Sequence, residues 1–190
     1  IISPASDNWT QKSNFPGGNR NGAFSLSIGN RGYIGTGMNP AGVYSNDFWE
    51  YNPDTDVWTQ KADYGGGVRA FAAGFALNGK GYIGTGIAGN YDWRNDVWEY
   101  DPANNSWRKV ADFGGGPRYT AVGFSIGDKG YLGTGNFRES PAVNATYLND
   151  FWEFDPLTET WSQKANFPLA LRGPIGFSIG NYGYAGGGAN

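Results

Sequence analysis

Asn46-Asp47-Phe48-Trp49-Glu50-Tyr51-Asn52-Pro53 returns as Asn95-Asp96-Val97-Trp98-Glu99-Tyr100-Asp101-Pro102, and again as Asn149-Asp150-Phe151-Trp152-Glu153-Phe154-Asp155-Pro156. Nine residues after the Trp of each copy stands a second Trp: Trp58, Trp107 and Trp161, with Trp9 in the same place ahead of the first copy. Eleven residues beyond each of these stands an Arg: Arg20, Arg69, Arg118 and Arg172. The stretch between Trp and Arg repeats too, as Gln-Lys-Ser-Asn-Phe-Pro-Gly-Gly at 11–18 and Gln-Lys-Ala-Asp-Tyr-Gly-Gly-Gly at 60–67, with close copies at 109–116 and 163–170. Tyr-Ile-Gly-Thr-Gly at 33–37 recurs at 82–86 and 131–135, and in weaker form at 184–188. The repeated Trp residues lie 49, 49 and 54 residues apart, so the unit is about 50 residues long and occurs four times.

Within one unit, large residues alternate with small ones after the Arg. Leu26 and Ile28 stand against Ser25 and Ser27, Phe75 and Leu77 against Gly74 and Ala76, Phe124 and Ile126 against Gly123 and Ser125. A period of two predicts a strand with two unlike faces. Gly29-Asn30, Asn78-Gly79 and Gly127-Asp128 supply hairpin turns, and the Tyr-Ile-Gly segment is the return strand. Asp47–Tyr51 reads as an aromatic-rich third strand, Asn52-Pro53-Asp54-Thr55 as a turn, and the segment at Trp58 as the fourth strand. These strands are A to D, counted from the Arg. Gly32-x-x-Gly35-x-Gly37 has the look of a dinucleotide loop, but it recurs in every unit with a strand on each side and no following helix, so it is read as strand and turn.

A period near 50 that combines glycines, a Tyr and a Trp resembles the kelch repeat, with Gly-Thr-Gly standing where many kelch repeats have Gly-Gly. The resemblance covers essentially the whole chain and is nearest to the kelch-type repeats of secreted bacterial proteins. It implies an all-β fold, a β-propeller of four-stranded antiparallel blades. The expected single domain, 1–190, has blades at about 20–58, 69–107 and 118–161. A fourth blade is split between 172–190 and 1–9, with the start of its strand C missing. A four-bladed ring, a piece of a longer array and half of a ring shared by two chains all fit that pattern. The resemblance also places strand A innermost and the location outside the cell or at its surface.

Composition narrows the chemistry. There is no Cys and no His, so disulfides, thiol nucleophiles, His-based triads and His-based zinc sites are excluded. Galactose oxidase, a kelch-like propeller, needs His ligands and a Cys–Tyr crosslink, so a copper oxidase of that type is excluded as well. The net charge is −3 with no basic stripe, so no nucleic-acid partner is expected. No apolar run is long enough for a membrane-spanning helix, and no membrane insertion is expected. No cofactor and no metal site is expected. Asp47, Asp96 and Asp150 fall one to a blade and form no calcium cluster.

Successive turns of an antiparallel meander alternate between its two ends, so the B–C loops and the D–A connections share one face. The A–B turns are nearly constant. The B–C loops vary in sequence, and the third, 136–149, is longest. Variation on a constant scaffold marks the expected ligand face. The candidate binding residues there are Arg20, Arg69, Arg118 and Arg172, read as a ring at a channel mouth suited to a carboxylate or phosphate, together with Tyr44, Tyr91, Asp92, Trp93, Arg94, Phe137, Arg138 and Tyr147. In the kelch adaptors of ubiquitin ligases, arginines at the matching position contact acidic peptides. The competing reading of the arginines is pairing with an acid of a neighbouring blade, such as Asp47, Asp96 or Asp150. The loop aromatics could equally pack their own loops, and the repeated Trp residues are expected to pack between blades.

The resulting expectation is a non-catalytic binding or scaffold module for a glycan or protein partner. On that expectation Trp93→Ala or Arg69→Ala weakens binding without unfolding. The alternatives are a structural subunit that self-associates through the split blade, and a mutarotase-like sugar isomerase using Glu, Asp and Arg, for which no carboxylate pair is unique to one repeat except near Glu139.

Overall fold

The computed structural model describes residues 2–3, 8–89, 92–138, 140 and 143–190. It contains eighteen strands and no helix among the described residues. In chain order they are β1 (Ile2–Ser3), β2 (Asn8–Trp9), β3 (Phe24–Ile28), β4 (Arg31–Gly35), β5 (Phe48–Asn52), β6 (Val57–Gln60), β7 (Ala73–Leu77), β8 (Lys80–Gly84), β9 (Val97–Asp101), β10 (Ser106–Lys109), β11 (Val122–Ile126), β12 (Lys129–Gly133), β13 (Asn136–Phe137), β14 (Thr146–Tyr147), β15 (Phe151–Asp155), β16 (Thr160–Lys164), β17 (Ile175–Ile179) and β18 (Tyr182–Gly186). Three antiparallel four-stranded meanders follow one another: β3-β4-β5-β6, β7-β8-β9-β10 and β11-β12-β15-β16. This all-β, multi-sheet architecture is compatible with a β-propeller.

The turns sit where the residues permit them. Asn78 and Gly79 both have positive φ, 51° and 76°, the conformation a two-residue hairpin needs. Asp56, Asn105 and Glu159 take the left-handed position of the C–D turns, at φ 57°, 47° and 54°. The extra length of the third B–C loop folds into a small hairpin of its own, β13 with β14. Isolated bridges Met38↔Tyr44 and Ile87↔Trp93 stand at the matching places in the shorter loops.

The alternation of large and small residues solves the packing of sheet on sheet. The large face of one sheet lies on the small face of the next. A Cβ added at Gly81 would lie 3.2 Å from Leu26, one at Gly130 would lie 2.1 Å from Phe75, and one at Gly183 would lie 2.2 Å from Phe124. Glycine is needed at these three positions because a neighbour's side chain fills the space. Two clusters result, one around Tyr33, Phe48, Ile83 and Tyr100, the other around Phe75, Tyr82, Phe113 and Phe154. Trp107 and Trp161 pack at these junctions as expected, Trp107 with its ring 4.9 Å from Phe48. Trp9 departs from that expectation: it is 80% exposed.

Two repeated backbone bonds fasten each sheet to the next. Gly37 N–H donates to Arg69 O, Gly86 to Arg118 O and Gly135 to Leu171 O, each at 2.7 Å. Phe71 N–H donates to Gly22 O, Thr120 to Phe71 O and Gly173 to Thr120 O. Making these bonds holds Phe71 and Thr120 at φ 56° and 54°, in a region that side chains with a Cβ rarely enter.

The described residues do not show the split fourth blade as one sheet. β17–β18 is a two-stranded sheet packed on β11, and β1–β2 is a separate two-stranded sheet. Neither is hydrogen-bonded to the other, and among the described residues β17–β18 does not touch β3–β6.

Candidate functional site

Arg69 is fully buried. Its Nη1 donates to Thr85 O at 2.6 Å and to Asp96 Oδ1 at 2.9 Å, and its Nη2 donates to Gly66 O at 2.8 Å and Asp96 Oδ2 at 3.0 Å. Trp98 Nε1 donates to the same Asp96 Oδ2 at 2.7 Å. The Tyr64 ring lies 5.4 Å from the guanidinium carbon. Arg118 repeats this arrangement with Asp150, Thr134 O, Gly115 O, Trp152 and Phe113. Arg20 does so with Asp47, Thr36 O, Gly17 O, Trp49 and Phe15. Both Nη groups of each fork are engaged within their own sheet, with its acid rather than that of a neighbouring sheet, while the Nε of Arg20 and of Arg69 is buried without a partner. They hold the Gly-Thr-Gly turns, in which Thr36, Thr85 and Thr134 sit at φ near 58°. The expected ring of arginine ligands at a channel mouth is therefore corrected: Arg20, Arg69 and Arg118 are internal struts.

Arg172 departs from that ring for a different reason and stays exposed. Phe167 N–H donates to Asn149 O just as Tyr64 donates to Asn46 O and Phe113 to Asn95 O. From that common anchor, the connection reaches strand A one residue sooner in the fourth unit. Leu171 then makes the backbone bonds that Arg69 and Arg118 make, and it is buried. Arg172 moves one place on, to the position of Asn21, Ala70 and Tyr119, and is exposed. The constant spacing from Trp to Arg concealed this slip, and counting back from the Gly-Phe-Ser-Ile strand would have revealed it.

That neighbouring position is where the sheets differ from one another. Asn21, Ala70, Tyr119 and Arg172 pair through their backbones with Met38, Ile87, Asn136 and Ala189. The geometry is the same in all four, and the side chains change each time. At the third, the Tyr119 ring stacks on Trp93, centroids 4.7 Å apart and planes 16° off parallel. Trp93 Nε1 donates to Arg138 O. Thr120 Oγ1 donates to Asn136 Oδ1 at 2.7 Å, while the buried Asn136 Nδ2 has no partner. Tyr119 was not among the expected residues, though its variation beside a constant Arg was a readable signal.

Tyr44, Trp93 and Tyr147 hold the same loop position in successive units. Tyr44 lies against Gly89, and Trp93 on Tyr119, so these loop aromatics lean onto the next unit rather than onto their own loop. Asp92 and Arg94 form an exposed ion pair with each other. Phe137 and Arg138 are half-buried beside Asn136. Tyr91, and with it Asn90 and Glu139, lies outside the described residues.

The acids of the site are committed. Burial raises the Asp47 and Asp96 carboxyls, but the bonds from Arg20 and Arg69 outweigh it, and both end below the usual carboxylate range. Burial likewise raises Glu99, and Lys80, Tyr82 and Arg108 overcome it. Desolvation and a bond to Glu153 push the Tyr131 hydroxyl up to about 12. No group of three or more metal-ligating side chains occurs among the described residues.

No family model matches the chain, and no curated protein matches it. The fold does have a counterpart among solved structures. The structure of YjhT aligns with 92% of this chain at a TM-score of 0.75 and 23% identity. This chain spans 61% of the length of that one. At this identity the likeness shows the fold alone.

Proposed function

We propose that this chain belongs to a kelch-type β-propeller and acts as a non-catalytic binding module outside the cell. It presents the B–C loops and inter-sheet connections to a glycan or protein partner. One observation carries the reading. Four successive units hold Asn21, Ala70, Tyr119 and Arg172 in one backbone geometry while the side chain differs at each. A constant frame with changing side chains on one face is how a repeat protein builds a specific surface. Trp93, Tyr119 and Arg172 give that surface flat apolar area and a cation, a combination suited to a sugar bearing an acid group.

Asp47, Asp96 and Asp150 are each held by an arginine and serve the fold, which supports the non-catalytic reading. Glycan-array binding of the wild type, Trp93→Ala and Arg172→Ala is the test. Both variants should stay folded and lose at least about tenfold in affinity, the equivalent of 1.4 kcal/mol. Binding that is unchanged in both variants places the site elsewhere.

A further inference from the structure

We infer that Asn136 is the specificity-determining residue of the loop face: its side-chain amide donates to one hydroxyl of the bound sugar, in a slot walled by Tyr119 and Tyr147. The inference rests on the sugar-binding reading above and adds which part of the sugar is read. Asn136 pairs through its backbone with Tyr119 on one side and with Tyr147 on the other. Residues directly opposite each other on antiparallel strands carry their side chains on the same face. Tyr119, Asn136 and Tyr147 therefore stand in one row, with the amide between two phenol rings. Trp93 stacks on the Tyr119 ring. Aromatic rings beside a buried donor suit a sugar, the rings for its apolar face and the donor for one hydroxyl.

The fold does not call for an amide at this place. Met38 and Ile87 occupy it in the first two units and make the same pair of backbone bonds, at 2.9 to 3.0 Å in all three. Thr120 likewise stands where the other units have Gly22, Phe71 and Gly173. Only the third unit puts two polar side chains here, and they act together. Thr120 Oγ1 donates to Asn136 Oδ1 at 2.7 Å, which leaves Nδ2 with no partner although Asn136 is 1% exposed. A buried donor without an acceptor lowers stability. The other buried side-chain atoms without a partner among the described residues, Arg20 Nε, Arg69 Nε, Thr36 Oγ1 and Thr85 Oγ1, belong to the repeated arginine strut. Asn136 Nδ2 alone lies where the units differ.

Tyr147 is the wall that gives access. It is half-buried and makes no side-chain hydrogen bond or ring contact among the described residues, whereas the Tyr119 ring is in contact with both Phe71 and Trp93. Rotation of Tyr147 about χ1 opens the slot without breaking a side-chain bond, and the ring then closes on the sugar. The group that meets Asn136 is neutral. An amide offers a dipole rather than a charge, and Arg118, next to Tyr119 in the chain, is committed to Asp150. A carboxylate buried against an amide alone would be left uncompensated, and a hydroxyl would not.

Asn136→Leu keeps the branched shape and removes the donor. The double variant Thr120→Gly/Asn136→Leu also removes the hydroxyl that would lose its acceptor. The intact chain and both variants are compared in thermal melts without glycan, and on the glycan array with pyranoside pairs that differ in the configuration of one ring hydroxyl. Both variants should melt no lower than wild type, the double variant about 2–4 °C higher. Wild type should favour one member of such a pair about tenfold, and both variants should bind the two members equally. Variants that melt below wild type would make Asn136 a structural residue and overturn the inference. Preference between the epimers that survives in the variants overturns it too. A wild type that binds no glycan overturns the sugar-binding reading along with it, whereas binding that Trp93→Ala weakens and Asn136→Leu leaves equally selective overturns this inference alone.

Discussion

At the scale of single residues, the repeat is organised around a buried charge. Arg69 with Asp96 combines a two-pronged ion pair, two carbonyl acceptors and an aromatic ring, and Trp98 completes the carboxylate. Removing one partner of such a pair leaves the other charged and buried, which costs about 3–5 kcal/mol. Arg69→Ala is therefore expected to lower stability by about that amount in urea melts at pH 7, rather than to weaken binding in an otherwise intact domain. The loss should depend on pH. The folded Asp96 carboxyl lies below its unfolded value, near 3.9, so its pairing stabilises the fold fully above that value. As pH falls through the folded pKa that contribution disappears, and wild type and variant should converge below about pH 4. A gap that persists undiminished in acid would mean that Arg69 acts by packing alone.

At the scale of strands and sheets, the glycines separate two roles that look identical in the sequence. Gly130 lies beneath Phe75 of the preceding sheet, whereas among the described residues a Cβ at Gly32 would meet only Tyr51 Cβ, at 3.8 Å. Gly130→Ala should cost about 1–3 kcal/mol by overpacking the junction. Gly32→Ala, measured in dilute solution, should stay within about 0.5 kcal/mol of wild type. Thermal melts of the two variants decide it, and equal losses would refute the junction geometry.

The same contrast shows what the sequence could and could not reveal. Period-two alternation and the Asn-Gly type turns were enough to place every strand of the three complete sheets. The alternation gave strand A two unlike faces, and only the structure shows the large face of one sheet laid on the small face of the next. The arginines misled, since a residue that is repeated, charged and near a loop reads the same whether it faces a ligand or an internal carboxylate. Only the three-dimensional count of its donors separates the two. Arg172 misled because the connection from Phe167 is one residue shorter, and a slip of one residue is invisible to spacing measured from the Trp.

At the scale of the whole molecule, a row of sheets joined only to their neighbours is a nearly one-dimensional system, in which stability is a sum of units and junctions. The middle sheet, β7–β10, has junctions on both sides and holds much of the core. The β17–β18 hairpin has one junction and an exposed apolar face. Local opening free energies should follow that order. Native-state hydrogen exchange is expected to find amides of β7 to β9 opening only with global unfolding, and those of β17 and β18 opening at far lower cost. Uniform protection along the row would show that the sheets unfold as one unit.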